Sequence, residues 1–134
     1  MSSKEQDVGN RSSRYELALW YSSKAKYYLR EGTRLFQGFR YPECISAFGA
    51  SIEFASKAIC AFLGADYKWE HDVSKPLIHL SVKFPKHSTE LSRVAWISSR
   101  WVGANQQTRL LANYGNQDAG VPATMFIGRG DVEL

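Results

Sequence analysis

The fold is decided by residues 42–63, which read PECISAFGASIEFASKAICAFL. Large apolar side chains recur there at intervals of three and four residues, as on one face of a helix. The recurring residues are Ile45, Phe48, Ile52, Ile59 and Phe62. Small residues stand between them and allow a second helix to approach closely. Pro42 suits the first turn of a helix and Gly64 suits the position just past its end, so the stretch predicts a core helix over 42–63.

Three other segments carry helical patterns. Residues 14–36 are apolar on more than one side, as expected of a helix that contacts two neighbours or a second subunit. A short helix is predicted over 74–84, with Ser74 as its N-cap, and it ends before Pro85. A long helix is predicted over 89–112, with Ser88 as its N-cap.

Together these segments predict one all-α domain, an up-and-down bundle of about four or five helices over residues 14–116. Residues 1–13 are rich in Ser and charged side chains, and we expect a flexible N-terminus there. Residues 117–134 contain Gly and Pro without periodicity, and we expect an irregular C-terminal tail.

The composition is that of a globular chain with a mild positive charge. Its 134 residues suit one domain, and 44% of them are hydrophobic, enough to build a core. The net charge of +4 and the pI of about 9.1 fit an anionic partner, such as a nucleotide or RNA, without establishing one.

Cys44 and Cys60 stand 16 residues apart on the predicted core helix. That separation is roughly 24 Å along a helix, too far for a disulfide. Neither has a Cys or His at metal-ligand spacing, so we expect buried, reduced thiols and no metal or cofactor. The first 14 residues have no apolar segment typical of a signal peptide, and we expect no apolar run to reach the length of a membrane span. These features predict a cytoplasmic protein with no membrane partner.

Three sequence features resemble one known family. Residues 40–58 read RYPECISAFGASIEFASKA, with Glu53 and Lys57 four apart, and His71-Asp72 stands before the short helix. Residues 109–115 read RLLANYG and are followed by Gly-Val-Pro at 120–122. These features resemble the second helix, the loop after it and the last helix of the HEPN domain (higher eukaryotes and prokaryotes nucleotide-binding). The resemblance extends over about residues 14–128.

The resemblance implies a helical bundle that commonly forms homodimers, with one of two roles. Some HEPN domains are ribonucleases that pair an Arg with a His shortly after it, while others bind nucleotides or RNA, often beside a small nucleotidyltransferase in toxin–antitoxin pairs. Here the histidines are His71, His79 and His87, and the nearest preceding arginine is Arg40, 31 residues before the first. The ribonuclease motif is therefore absent, and Asn113-Tyr114-Gly115 stands where many members have Arg-Tyr-Gly.

We therefore predict a binding module without catalytic residues. The candidate ligand-binding residues are Glu53, Lys57, His71, Arg93, Arg100, Arg109, Asn113 and Tyr114. Arg93 and Arg100 are seven residues apart and therefore nearly aligned on a helix. They form a cationic stripe that could bind an anion, and the alternative interpretation is an ordinary solvated face. Trp96 and Trp101 could stack on bases, although core or dimer contacts are the commoner use of such residues.

Two alternatives remain open. One is a metal-independent ribonuclease with an atypical site, formed by Arg109 with Asn113 and Tyr114 or by His71 near Glu53. The other is a ligand-free scaffold whose groove accepts a helix of another protein. The preferred prediction is a homodimer that binds a nucleotide or RNA, or docks a nucleotidyltransferase.

Overall fold

A computed structural model describes residues 3–67 and 70–104 of the chain. Four α-helices make up most of these residues: α1 Ser3–Gln37, α2 Tyr41–Leu63, α3 Ser74–Lys83 and α4 Ser88–Ser98. A 3₁₀ turn, Pro85–His87, joins α3 to α4, and a π-helical segment, Ser99–Ala104, continues from α4. The described part of the chain contains no β-strand, so the predicted all-α helical bundle is confirmed.

α1 and α2 form an antiparallel pair. At one end of the pair the Tyr15 and Phe62 rings lie 6.1 Å apart, and at the other end those of Phe36 and Tyr41 lie 5.8 Å apart. The turn between the helices is closed by the backbone N–H of Arg40, which donates to the carbonyl of Leu35 at 2.8 Å. The predicted helix over 42–63 is thus confirmed, beginning one residue earlier.

Small residues let these two helices interlock. Gly32 of α1 lies against the Phe48 ring, and a Cβ at Gly32 would overlap that ring. The Ser51 hydroxyl donates to the Ala25 carbonyl at 2.7 Å, so a side chain of α2 reaches the backbone of α1. The small residues of the core stretch therefore serve the close approach that the sequence predicts.

The second half of the core lies where α2, α3 and α4 meet. Its buried residues are Cys60, Val73, Leu77, Leu80, Leu91 and Ala95. α2 ends at Gly64, which adopts the left-handed conformation with φ of 76°. The next amide, that of Ala65, donates to the Cys60 carbonyl at 2.9 Å. Gly64 is therefore the helix stop that the sequence predicts.

The predicted start of α1 and two predicted N-caps are wrong. α1 begins at Ser3, so most of the segment predicted as a flexible N-terminus continues that helix. Ser74 and Ser88 are first helical residues and provide no side-chain cap. The helix predicted over 89–112 changes from α to π at Ser99, and everything beyond residue 104 lies outside the described residues.

α2 is also long and apolar enough to cross a membrane, judged by length and composition alone. The prediction that no apolar run reaches this length is therefore wrong. In this fold α2 is the central helix, since it contacts α1, α3 and α4. Its Glu53 side chain is buried. Core helices of soluble proteins pass the same length test, so the apolar length of α2 is weak evidence for a membrane span.

Cys44 and Cys60 are both free and fully buried, as the sequence predicts. Cys44 Sγ lies 3.1 Å from the Gly32 carbonyl oxygen, at the α1–α2 contact. Burial, and secondarily the negative charge of Glu70, raises the pKa of the Cys60 thiol to about 12. A thiol with so high a pKa is a packing group, because the reactive thiolate is not populated near neutral pH.

Candidate functional site

Three of the predicted site residues meet at one point. Glu53 on α2 is buried, and its carboxylate oxygen Oε1 lies 2.6 Å from Nδ1 of His71 in the loop before α3. The same oxygen lies 4.0 Å from the ammonium of Lys57, one turn along α2. Glu53 and Lys57 side chains are mostly covered, whereas that of His71 is 79% exposed. Glu53, Lys57 and His71 form what we call the polar cluster.

The loop that carries His71 is anchored to α4. The Ser98 hydroxyl is fully buried and donates to Oδ1 of Asp72 at 3.1 Å. The backbone N–H of Val73 donates to the oxygen of that hydroxyl at 3.2 Å. Asp72 Oδ1 also accepts from the backbone N–H of Ser74 at 2.9 Å, so Asp72, rather than Ser74, satisfies the start of α3. The position of His71 therefore depends on Glu53 of α2, on Ser98 of α4 and on the first amide of α3.

The chemistry open to the polar cluster is limited. A carboxylate that accepts from Nδ1–H orients an imidazole and leaves Nε2 as a proton acceptor when the ring is neutral. The ammonium of Lys57, 4.0 Å from the same oxygen, offsets the buried Glu53 charge. A phosphate would need a cation beside the imidazole, and Lys57 is largely covered. The polar cluster thus resembles a structural ion pair with one exposed titratable ring.

A second group of predicted residues lies on α4 and on the π-helical segment that follows it. Trp96 is 61% exposed, and the guanidinium carbon of Arg100 lies 5.5 Å from the centroid of its ring. Arg93 is exposed one turn before Trp96. Within residues 13–67 and 70–102, its guanidinium has no hydrogen-bond or ion-pair partner. Arg93, Trp96 and Arg100 form what we call the cationic face.

An open groove runs along α4 beside the cationic face. Its lining residues are Ser88, Thr89, Ser92, Arg93, Trp96 and Ile97. The described residues that line the groove combine three hydroxyls, one guanidinium and an indole, and none of them is a carboxylate. Such a combination can accept an apolar ring and can donate hydrogen bonds to an anion beside it.

The net positive charge of the chain falls in the segment that contains this groove, with Lys75 and Lys83 of that segment lining a different pocket beside Asp66 and Glu70. Residues 74–104 carry five Lys and Arg side chains and a single carboxylate, Glu90. Their excess of four equals the net charge of the whole protein, leaving twelve cations and twelve carboxylates elsewhere. The field of the protein is therefore expected to attract anions to this half of the bundle.

The remaining predicted residues do not join either group. Arg109, Asn113 and Tyr114 lie outside the described residues. Trp101 lies away from the groove beside Trp96, in a second pocket between α1 and α2, together with Leu29 and Phe48. Among the described residues no cluster of three His, Cys, Asp or Glu side chains could hold a metal ion.

Some features of the site were not predicted. The sequence places Trp96 and Arg100 four residues apart, the spacing at which helical side chains meet, and that signal could have revealed their contact. Ser88 and Ser92 continue the same four-residue spacing, and together with Thr89 they line the groove. Ser98 gave no signal as an anchor, because its partner Asp72 is 26 residues away.

The family model of the HEPN domain matches residues 18–118, about three quarters of the chain. The protein therefore belongs to the HEPN domain family, a family of all-α modules associated in general with nucleotides and RNA. Comparisons with curated proteins and with solved structures give no match.

Proposed function

We propose that this HEPN domain binds RNA or a nucleotide through the cationic face and has no ribonuclease activity. The observation that carries the proposal is the charge distribution. The whole positive excess of the chain lies in residues 74–104, and within them Arg93 and Arg100 flank an exposed indole. Phosphates supply most of the affinity of nucleic acids for proteins, and they bind where such cations gather.

Salt dependence tests this proposal directly. Affinity for a fluorescently labelled RNA is measured by anisotropy between 50 and 200 mM salt, and a steep fall is expected as bound counterions are released. Arg93→Ala and Arg100→Ala should each lower the slope of log affinity against log salt by about one. Lys26→Ala, which removes an exposed cation from α1, is the matched control. An absence of binding at low salt would refute the proposal and favour a protein-interaction scaffold.

The absence of ribonuclease activity is proposed from the missing Arg–His pair. One observation favours the alternative, a ribonuclease with an atypical site: His71 is exposed and oriented by Glu53 at 2.6 Å. An imidazole so placed could accept a proton from a ribose hydroxyl. Cleavage of RNA by the wild type that His71→Ala abolishes, while His79→Ala leaves it unchanged, would establish the enzyme.

The proposal extends to partners. We propose a cytoplasmic homodimer that docks a small nucleotidyltransferase, in a setting like that of toxin–antitoxin pairs. Several large apolar side chains of α1 are exposed and could serve such contacts. They are Leu17, Leu19, Tyr27 and Leu29. Sedimentation equilibrium should give twice the 15.2 kDa chain mass, and Leu19→Glu should reduce it to the monomer mass.

The genomic neighbourhood bears on the second partner. Co-expression with the product of an adjacent reading frame should yield a stable complex if that frame encodes a nucleotidyltransferase. A neighbouring nucleotidyltransferase that does not copurify would count against docking, while leaving the binding proposal to stand on its own assay.

A further inference from the structure

The two sides of the Trp96 indole have different surroundings. Arg100 follows Trp96 by four residues and places its guanidinium over the ring. The groove is lined by residues that precede Trp96 by three to eight positions, together with Ile97. Arg100 does not line it. Along the helix, Trp96 therefore stands between Arg100, which follows it, and most of the groove-lining residues, which precede it.

We infer that this groove binds one unpaired base of a single-stranded RNA, stacked on the indole of Trp96. The inference rests on the proposed function and narrows it from RNA or nucleotide in general to an unpaired segment. A base in a duplex is covered on both faces by its neighbours, and only a splayed base can lie flat on an aromatic ring. The Trp96 side chain, which is 61% exposed, offers such a ring to a base.

The polar residues of the groove suit the rest of the nucleotide. Arg93 precedes Trp96 by three residues and lines the same groove, so its guanidinium can bond to the phosphate next to the stacked base. The hydroxyls of Ser88, Thr89 and Ser92 can bond to ribose or to base edges. Arg100 does not line the groove, but its guanidinium lies beside the indole, where it can contact a neighbouring phosphate of the strand.

A second pair of the same kind provides a control within the chain. On α1, the ammonium of Lys24 lies 4.3 Å from the ring centroid of Trp20, again four residues apart. Trp20 is 53% exposed, close to the exposure of Trp96. It lies on α1, outside the groove and outside the half of the bundle that carries the positive excess. Trp20 therefore tests whether exposure and a neighbouring cation are sufficient for binding.

The experiment compares Trp96→Leu with Trp20→Leu in the full chain. A labelled single-stranded oligoadenylate and an RNA duplex of equal length are titrated by anisotropy at 50 mM salt. Stacking of one base is worth roughly a 5- to 150-fold change in affinity. Trp96→Leu should lose that factor for the single strand, Trp96→Tyr should retain most of it, and Trp20→Leu should bind as the wild type. Far-UV circular dichroism confirms that each variant is folded.

The outcomes separate the inference from the proposed function. Equal binding of duplex and single strand, with Trp96→Leu unchanged and Arg93→Ala weakened, would overturn the stacking site and leave the cationic face standing. Equal losses in Trp20→Leu and Trp96→Leu would also overturn it. No binding of either RNA at low salt would overturn both.

Discussion

Replacing Ser98 by Ala should destabilise the protein far more than its size suggests. Ser98 is fully buried on α4, and its hydroxyl serves two groups of another element. It donates to the Asp72 carboxylate at 3.1 Å and accepts from the Val73 amide at 3.2 Å. Val73 is also fully buried, so water cannot replace the lost acceptor.

The expected magnitude follows from these two bonds. A buried N–H that loses its partner costs about 1–3 kcal/mol, and a bond to a carboxylate contributes about as much. Asp72 keeps its bond from the Ser74 amide, which limits the second contribution. We expect the free energy of unfolding to fall by about 2–3 kcal/mol. For a domain of this length that corresponds to a Tm lower by roughly 6–10 °C.

Urea denaturation and amide hydrogen exchange measure the effect. The urea midpoint should fall without a change in slope, and the Val73 amide should exchange faster in Ser98→Ala than in the wild type. Ser92→Ala is the matched control, since Ser92 is an exposed serine of the same helix, and it should change stability by less than about 0.5 kcal/mol. An unchanged Val73 exchange rate, or a loss no larger than that of Ser92→Ala, would refute the reasoning.

Three further predictions concern the helix pair and the core. Gly32→Ala should lower stability by about 1–3 kcal/mol in urea titrations because its Cβ would overlap the Phe48 ring, whereas Gly38→Ala has room and should not. Gly64→Ala should lower it by about 1 kcal/mol, since φ there is 76°; a neutral result would contradict the strain. The raised Cys60 pKa means that the folded state holds this proton more tightly than the unfolded state does. The contribution of this proton to the free energy of unfolding should be fully present below about pH 9 and should be lost progressively between about pH 9 and about pH 12. In Cys60→Ala, the loss of stability over this pH range should be smaller by that contribution.

The sequence predicts the centre of the fold well and its ends poorly. Both ends of α2 are marked by residues with specific backbone requirements, Pro42 and Gly64, and the predicted span differs from the observed one by a single residue. The start of α1 has no such mark. Residues 3–13 are polar, so they show no apolar period even though they are helical, and the helix was predicted to begin near Arg14.

Capping and the π-helical segment could not be read from local patterns. The serines that begin α3 and α4 are of the residue type preferred at N-caps, yet each is the first helical residue and stands one position after the N-cap. The carboxylate of Asp72 bonds to the first amide of α3 instead. The change to a π-helix at Ser99 has no sequence signal that we recognise.

The candidate site shows the same division between local and distant contacts. Glu53 and Lys57 are a helical i, i+4 pair, and their proximity was predicted from spacing. His71 is 18 residues from Glu53, so their contact depends on how the loop before α3 returns to α2. From the sequence, the contact of His71 with Glu53 could be proposed only as one of the alternative sites. Arg93 and Arg100 were predicted as a stripe, and their relation to Trp96 follows from the same helical spacing.

α4 supports both groups of candidate residues, and this arrangement separates contact from positioning. Trp96 lies on its exposed side, whereas Ser98 on its buried side holds the loop that carries His71. Loss of RNA affinity in Trp96→Leu at unchanged stability identifies a contact. Loss in Ser98→Ala would instead show that the loop before α3 helps to position the groove, because Ser98 cannot reach a ligand from the core. If RNA affinity survives in Ser98→Ala at a temperature where the variant stays folded, the cationic face of α4 binds independently of the polar cluster.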